Sequence, residues 1–530
     1  MKSYILAIAA AAAIGSTASA QLPDHINIHY NAARENFKSI YEQDLDSIMF
    51  HDTNSSGTFD EMWICYKGGS IDKVPVSELS KITYTRNVPE MFINLTGTIT
   101  GDTIKTHHPE YAGYDDLPSV KEQSFNNDKE IYFDCTVQIR GNGYVNYLDP
   151  TPCTIKGRGN STWTFEKKPY RLKFPKKDAD GNKLDKINIG RGLKKARSFA
   201  LIANYIDCTN MRNSIAMKIG ELLDMPFTNH MVPCRLYING HLRGSYMITE
   251  KIGIGSESID INEDWGITYS IENGQAADWP MFGSETYGHN VEIKDYVYED
   301  NIPDNDWTNP HYLAIKALWN KMEASIATED KWKMIDMNSL VNYLIVGNLC
   351  NNPELNYPKS MKMYVEAELL DQNGKRLNGP AKPVEGDTFT PDGIFHFGPI
   401  WDYDWAFNFT EDKETMETAT LPLFAQKVSG AGTKFFKDLA DDPVFLDAYD
   451  TRWNEFKESF YPMLKEYIEE LADEIELSTV ENGILWPDAE TGVYRKGRSS
   501  FKFRENLEDL KKWLDARVEF ISTDPNHGLW

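Results

Sequence analysis

The stretch Gly398-Pro399-Ile400-Trp401-Asp402-Tyr403-Asp404-Trp405-Ala406-Phe407 leaves this chain the fewest options. It follows Phe395-His396-Phe397, which reads as a short strand, and it sets two carboxylates among three large aromatics. In an extended segment residues i and i+2 point to one face. Asp402 and Asp404 are therefore expected to project together, a donor pair suited to a hard cation such as Mg²⁺, which takes one or two carboxylates plus substrate phosphates. The same ten residues also suit a turn between two core strands, each aspartate capping or solvated.

The N-terminus carries a separate signal. Lys2 precedes an apolar run from Tyr4 to Ile14, and Ala18-Ser19-Ala20 stands before Gln21. A positive n-region, an apolar h-region and an A-x-A site predict a signal peptide over residues 1–20, cleaved near Ala20–Gln21. The mature protein is expected to be secreted, to the periplasm, cell surface or extracellular space. No later apolar run of about 18 residues predicts a transmembrane segment. A formal net charge of −25 opposes nucleic acid and anionic membranes as partners. Six cysteines, at positions 65, 135, 153, 208, 234 and 350, show neither C-x-x-C spacing nor a histidine at metal spacing, which argues against a zinc site. They read as small buried apolar residues, and Cys135 with Cys153 is the nearest pair should a bridge form.

At 530 residues the chain is expected to hold two or three domains. Residues 21–88 read as a small β module: Asp44–Phe50 and Glu78–Tyr84 echo one another, with Glu61–Tyr66 between them. The loop pair His107-His108 has no further ligands beside it. Phe133, Cys135, Val137 and Ile139 alternate as a strand with one buried face. Next comes Lys156-Gly157-Arg158-Gly159-Asn160-Ser161-Thr162-Trp163. Its glycines let backbone N–H groups approach an anion, and Ser161 and Thr162 add hydroxyls. The strand that follows puts Tyr170, Leu172 and Phe174 on one face and Arg171 and Lys173 on the other. A Gly-rich hairpin and a strand lysine can cover and pair a nucleoside triphosphate, and a solvated edge lysine reads the same way.

Met211, Ile215, Ile219, Leu222 and Leu223 mark a helical face, with Asp207 and Thr209 placed to cap its start. Val232–Tyr237, Asn239-Gly240 and Gly244–Thr249 predict a hairpin leading into Glu250. Strands are expected at Ile267–Ile271, Val291–Ile293 and Met361–Val365. Helices are expected at Leu313–Met322, Met337–Leu349, Phe435–Tyr449, Met463–Ile475 and Phe503–Ile521. In the last, Phe503, Leu507, Leu510, Leu514, Val518 and Ile521 form one core-facing stripe.

These motifs in this order resemble the spore-coat protein H (CotH) kinase-like family over roughly residues 90–525. The residues carrying the resemblance are Gly157–Trp163, Lys167–Phe174, Asp207 with Met211-Arg212-Asn213, Gly244-Ser245-Tyr246 with Glu250, and Trp401–Asp404. The resemblance implies an α+β, atypical protein-kinase-like two-lobed fold behind the small all-β module. Residues 89–270 would form a β-rich nucleotide-covering lobe and 271–530 a mainly helical lobe. It implies ATP and Mg²⁺ (or Mn²⁺) as cofactors and an unidentified protein as the Ser/Thr acceptor. Gly157, Gly159, Asn160, Ser161, Lys173 and Glu250 would bind nucleotide, with Lys173 on the phosphates and Glu250 near the strand passing the adenine. Asp402 would be the first metal ligand, joined by Asp404 and Asn356. The chain departs from the family at one loop, which usually offers an Asp and then an Asn. Here Asn352-Pro353-Glu354 stands in its place, and Lys359-Ser360 falls where the Asn is expected. Glu354 becomes the expected base, although a displacement near 1 Å can cost about a hundredfold in rate. The departure keeps open a catalytically impaired protein that binds or assembles at a surface on the same fold.

Overall fold

The computed structural model describes residues 4–5, 25–30, 38–41, 44–85, 88–96, 129, 131–140, 148–159, 161–272, 280–296, 307–308, 310–356, 358–367, 369–370, 373, 375, 388–389, 393–407, 416–424, 431–486 and 500–530. His107, His108 and Asn160 lie outside the described residues. The protein is mixed α+β.

Alternating apolar residues close seven strands into a barrel: β1 (Glu90–Leu95), β2 (Phe133–Arg140), β3 (Leu148–Gly157), β4 (Tyr170–Lys173), β5 (Ser198–Ile202), β6 (Val232–Ile238) and β7 (His241–Glu250). Their hydrogen-bonded order is β3-β4-β5-β7-β6-β1-β2, and β2 returns to β3. β6 and β1 run parallel, and the other pairs are antiparallel. Val137, Ile139, Ile155, Tyr170, Leu172 and Ile248 fill the interior, one face of each strand as the period of two requires. Asn239 and Gly240 both take positive φ, 51° and 80°, at the β6–β7 hairpin, the backbone a type I′ turn needs. Cys135 and Cys153 stand opposite one another across β2 and β3. The six cysteines are buried free thiols, and the contact with Cys135, together with burial, pushes the Cys153 thiol up.

Between β5 and β6 the chain inserts helix α1 (Arg212–Leu222). The expected caps form: Asp207 accepts from the backbone N–H of Arg212 at 2.9 Å and of Thr209 at 2.9 Å, and Thr209 Oγ1 accepts from Met211 at 3.3 Å.

A second sheet follows, of β8 (Gly266–Glu272), β9 (Met281–Gly283), β10 (Asn290–Tyr296), β11 (Met361–Glu366) and β12 (His396–Phe397), in the order β9-β10-β8-β11-β12. A boundary at residue 270 would cut β8, whose neighbours are β10 and β11; hydrogen bonding places that strand with the later part of the chain. The sheet is two-faced. Tyr269, Ile271, Val291, Ile293, Met361 and Met363 enter the largest core. Ser270, Glu272, Glu292, Lys294 and Lys362 belong to the opposite alternation and face the barrel side.

That core is completed by α2 (Pro310–Ser325), α3 (Met337–Leu349), α4 (Ala431–Ala440), α5 (Pro443–Glu455), α6 (Tyr461–Leu485) and α7 (Phe503–Thr523). The α7 stripe is buried as expected. The N-terminal strands, among them Leu45–His51, Glu61–Tyr66 and Leu79–Thr85, enclose a core of their own built on Ile26, Ile28, Ile48, Met62 and Ile64. Tyr4 and Ile5 pair with Phe50 and Met49 at its edge. No helix among the described residues is long and apolar enough to cross a membrane.

One residue of α7 breaks the apolar pattern. Arg517 is fully buried and donates to Asn348 O at 2.9 Å, Asn348 Oδ1 at 2.6 Å, Ala419 O at 3.1 Å and Leu421 O at 2.5 Å. Burial pulls its guanidinium down to about 10, with Tyr449 opposing. It ties α7 to the end of α3 and to the 416–424 segment. Arg517→Met removes the donors and strands those carbonyls, so urea unfolding should show a loss on the order of 3 kcal/mol. An unchanged midpoint would mean the carbonyls find other partners.

Candidate functional site

The Trp401–Phe407 segment is a turn, which corrects the expected extended strand. Asp402 takes a φ of +67° and Phe407 one of +55°, left-handed values that a continuing strand does not hold; Asp is among the few residues that visit this region readily. Tyr403, Ala406 and Phe407 are buried in the core, whereas Trp401 lines the cleft and Trp405 is half-buried. The N-terminal turn of α1 fixes the backbone. Asn213 Oδ1 accepts from Tyr403 N at 2.8 Å, and Arg212 Nη1 donates to Asp404 O at 3.1 Å. The two carboxylates line one cleft even so, because the turn folds over the helix start.

This first cleft holds about 220 Å³. Arg158, Gly159, Ser161 and Thr162 form one wall, and Lys359, Ser360, Asp402 and Asp404 another. Glu272, Lys294 and Lys362 supply the sheet floor. A second cleft of about 190 Å³ adjoins it, with Ala200, Ile252, Ile259, Tyr269 and Met363 among its lining residues. Arg158, Lys294, Lys362 and Trp401 line both.

Charge is crowded here. Asp404 is pushed up to about 8 by burial and by Asp402 and Asp207, with Arg212 opposing. Burial, then Asp402, raises Glu354 well above the carboxylate range, and Lys359 opposes. Burial pulls Arg158 down while Asp402 holds it up, and its guanidinium lies 5.4 Å from the Trp401 ring. Lys362 is lowered by burial against Glu272 and donates to Ser270 Oγ at 3.4 Å. Ser270 donates in turn to Glu272 at 2.7 Å. Ser360 Oγ donates to Asp402 Oδ2 at 3.1 Å. Lys167, fully buried, donates to Ala203 O and Ser245 O, both at 2.5 Å, and fixes the rim.

The expected site residues are not all brought together. Gly159 and Ser161 line the first cleft. A Cβ on Gly159, at φ +85°, would come within 2.0 Å of Thr162 Oγ1. Gly157 instead packs beneath Trp163, whose ring a Cβ would meet at 2.5 Å. Lys173 is a correction: it is exposed, lines neither cleft, and its ammonium sits 5.9 Å from the Tyr132 ring. Its strand position carries it one pleat beyond Arg171, which does line the second cleft. Glu250 lines the second cleft, fully buried, and accepts from His230 N at 3.0 Å while pairing with His230 Nδ1 at 2.7 Å. Glu354 is buried beside the cleft; Lys359 holds Oε1 at 3.1 Å, and Oε2 has no hydrogen-bond partner among the described residues. Asn356 is a second correction: its short helical turn aims Nδ2 at Leu423 O, 2.8 Å away, and it does not line the cleft.

Arg158, Lys294, Lys362 and Glu272 were missed as site residues. The signal is a charged residue inside an apolar strand, as in Met361-Lys362-Met363 and Val291-Glu292-Ile293-Lys294. Only strand register shows that these charges share a face, Ser270 pairing with both Glu292 and Lys362.

The residues fit an anionic ligand with a hard cation. Several fixed cations converge, Gly159 leaves space a side chain would fill, and Asp402 and Asp404 crowd negative charge that a cation would neutralise. Among the described residues no group of three or more His, Cys, Asp or Glu has metal-holding geometry; the cleft's own pair is the oxygen donor set. The fold and cleft thus define an α+β protein in which cationic side chains and paired carboxylates line one cleft. Residues 155–521 match the family model described as CotH kinase protein, well over half of the chain, and the chain belongs to that family. Membership implies kinase-like, nucleotide-dependent activity. A comparison with curated proteins finds no match.

The raised Asp404 sets a sign. An acid that is ionised when unfolded but held protonated when folded subtracts stability as pH rises from about 4 toward about 8. Asp404→Asn should therefore stabilise the ligand-free protein at pH 8, on the order of 2 kcal/mol, and give no gain at pH 4. Denaturant melts across that range test it; a gain independent of pH would remove Asp404 as its source.

Proposed function

We propose that this protein is an exported, Mg²⁺-dependent protein kinase that transfers the ATP γ-phosphoryl group to Ser or Thr of another protein. The single observation carrying this reading is the sharing of Arg158, Lys294, Lys362 and Trp401 by two adjoining clefts, one of which also holds Asp402 and Asp404. A nucleoside triphosphate would span both, its base in the second cleft, its polyanionic middle at the shared cations and its metal-bearing end at the aspartates. In this reading the base sits against Ala200 and Ile252, with the buried Glu250 behind them. Arg158, Lys294 and Lys362 hold phosphate oxygens, joined by the Gly159–Thr162 wall. Asp402, with Asp404, would hold Mg²⁺, which when bound neutralises phosphate charge and orients the transferred group.

The barrel and the second sheet with its helices then act as the two lobes of a kinase-like fold, the N-terminal β module standing apart from the chemistry. Residues 1–20 act as the signal peptide, and cleavage removes the Tyr4–Ile5 edge pairing. The acceptor is a protein presenting a hydroxyl at the open side of the carboxylate-bearing cleft.

Glu354 supports a second reading. A base must be ionised when the hydroxyl arrives, and burial, then Asp402, raises this carboxyl well above its usual range. That favours a protein that binds nucleotide without transferring phosphate. One pair of measurements separates the readings. ATP with Mg²⁺ at about a hundredfold excess over Kd should stabilise the wild type by about 2.7 kcal/mol. Asp402→Ala and Lys362→Met should abolish this, and Lys173→Met should not. With γ-labelled ATP and a serine-rich protein, the kinase reading expects labelled acceptor. Stabilisation without label would establish binding alone, and no stabilisation of the wild type would end both readings.

A further inference from the structure

The N-terminal module is built of two sheets. One runs Tyr4–Ile5, Leu45–His51, Glu61–Tyr66, Ile71–Pro75, and the other Lys38–Tyr41, His25–Tyr30, Leu79–Thr85. A strand at a sheet edge offers its backbone N–H and C=O groups to any further strand, and lysine or proline there discourages the pairing. Lys73 and Pro75 stand on one edge strand, Lys38 on the second and Lys81 on the third. Leu45-Asp46-Ser47-Ile48-Met49-Phe50-His51 carries neither residue. Among the described residues its outer edge pairs only with Tyr4 and Ile5, which stand antiparallel opposite Phe50 and Met49. Ile48 and Phe50 face the module's core, and Ser47, Met49 and His51 alternate to the other face.

We propose that loss of residues 1–20 opens this edge and that a second copy of the chain takes it, two Leu45–His51 strands pairing antiparallel about Met49. The proposal rests on the signal-peptide reading above. In that register Met49 meets Met49, Ile48 of each copy meets Phe50 of the other, and Ser47 meets His51. Apolar residues face one another on the core side, and the contact is isologous and closed. Tyr4 and Ile5 already stand where Ile48 and Met49 of the second copy would stand, in the same direction. The register also sets Asp46 opposite Asp52, and like charges directly opposite are unfavourable. The Asp52 carboxylate is turned into its own loop, however, where it accepts from Ser56 N at 2.9 Å and Gly57 N at 2.7 Å. A net charge of −25 on each chain opposes association until salt screens it.

Sedimentation velocity of the chain beginning at Gln21 tests this. Dimer should grow with protein concentration, and more at about 0.5 M salt than at about 0.05 M, where screening is weaker. Met49→Lys sets two ammonium groups together at the two-fold axis and should weaken the dimer by about tenfold or more. Ile71→Lys, on the edge that already carries Lys73, should leave it unchanged. Met49→Cys should cross-link the two copies under a mild oxidant and Ile71→Cys should not, the six native thiols being buried. This second variant decides the matter should Met49→Lys fail to fold. A synthetic peptide of residues 2–8 should dissociate the dimer. A monomer at every concentration, or a dimer indifferent to both Met49 variants, would overturn the proposal. A monomer that nonetheless binds the peptide would also overturn it, giving the edge to a foreign strand. N-terminal sequencing of the secreted protein checks the reading beneath: residues 1–20 still attached would end that reading, while the chain begun at Gln21 still decides what the edge does.

Discussion

The first turn of α1 is the constraint on which the candidate site depends. Asp207 fixes where the helix begins by accepting from Arg212 and Thr209, and the next two side chains grip the Trp401–Phe407 turn by its backbone. Asn213 takes the Tyr403 N–H and Arg212 reaches the Asp404 carbonyl. Because these bonds go to main-chain atoms, the aspartate side chains remain available to a ligand. Had Arg212 met the Asp404 carboxylate instead, the pair would be closer to neutral and the turn no better fixed. Gripping by backbone and leaving the carboxylates crowded is a form of preorganisation: charge that is unfavourable alone becomes favourable beside a cation.

Local chemistry made much of this legible. Strands with a strict period of two were readable because one face of each enters a core, as with Phe133–Ile139 and Tyr170–Phe174. The α1 caps were readable because Asp and Thr lie within reach of the helix start. The Asp motif was readable as a site, but its backbone was not. Trp401, Tyr403 and Trp405 mimic strand alternation, while the burial of Tyr403, Ala406 and Phe407 bends the segment into a turn.

The lysine was misplaced for a geometric reason. Lys173 and Arg171 share a face, but two residues of strand advance the chain by roughly 7 Å, enough to carry Lys173 past the cleft edge. The cations that do line both clefts come from β10, β11 and the loop after β3, segments more than a hundred residues apart in part. Their convergence is a property of sheet register, to which local pattern is blind. Asn356 was lost to a short helical turn, whose rotation per residue sends the amide toward the Leu423 carbonyl.

Charge at the cleft and charge on the whole chain act in opposite directions, and the combination has consequences. A net charge of −25 repels anions at long range, whereas Arg158, Lys167, Lys294, Lys359 and Lys362 outnumber Glu272, Asp402 and Asp404 among the lining residues. Long-range repulsion is screened beyond about 8 Å at physiological salt, and the partly buried cations are screened much less. An anionic ligand therefore meets a weak barrier on approach and a strong attraction on arrival. Burial lowers Arg158 and Lys362, a desolvation cost that the apolar cores must offset. Arg517 is the contrasting case: it is fully buried where Arg158 and Lys362 are half-buried, and carbonyl oxygens and Asn348 satisfy it from within the chain. Buried charge satisfied internally holds elements together, whereas buried charge left for an external partner is what a binding site is made of. By that distinction Arg517 and Lys167, which spend their donors on carbonyl oxygens, belong to the fold, whereas Asp402 and Asp404 turn their carboxylates to the cleft.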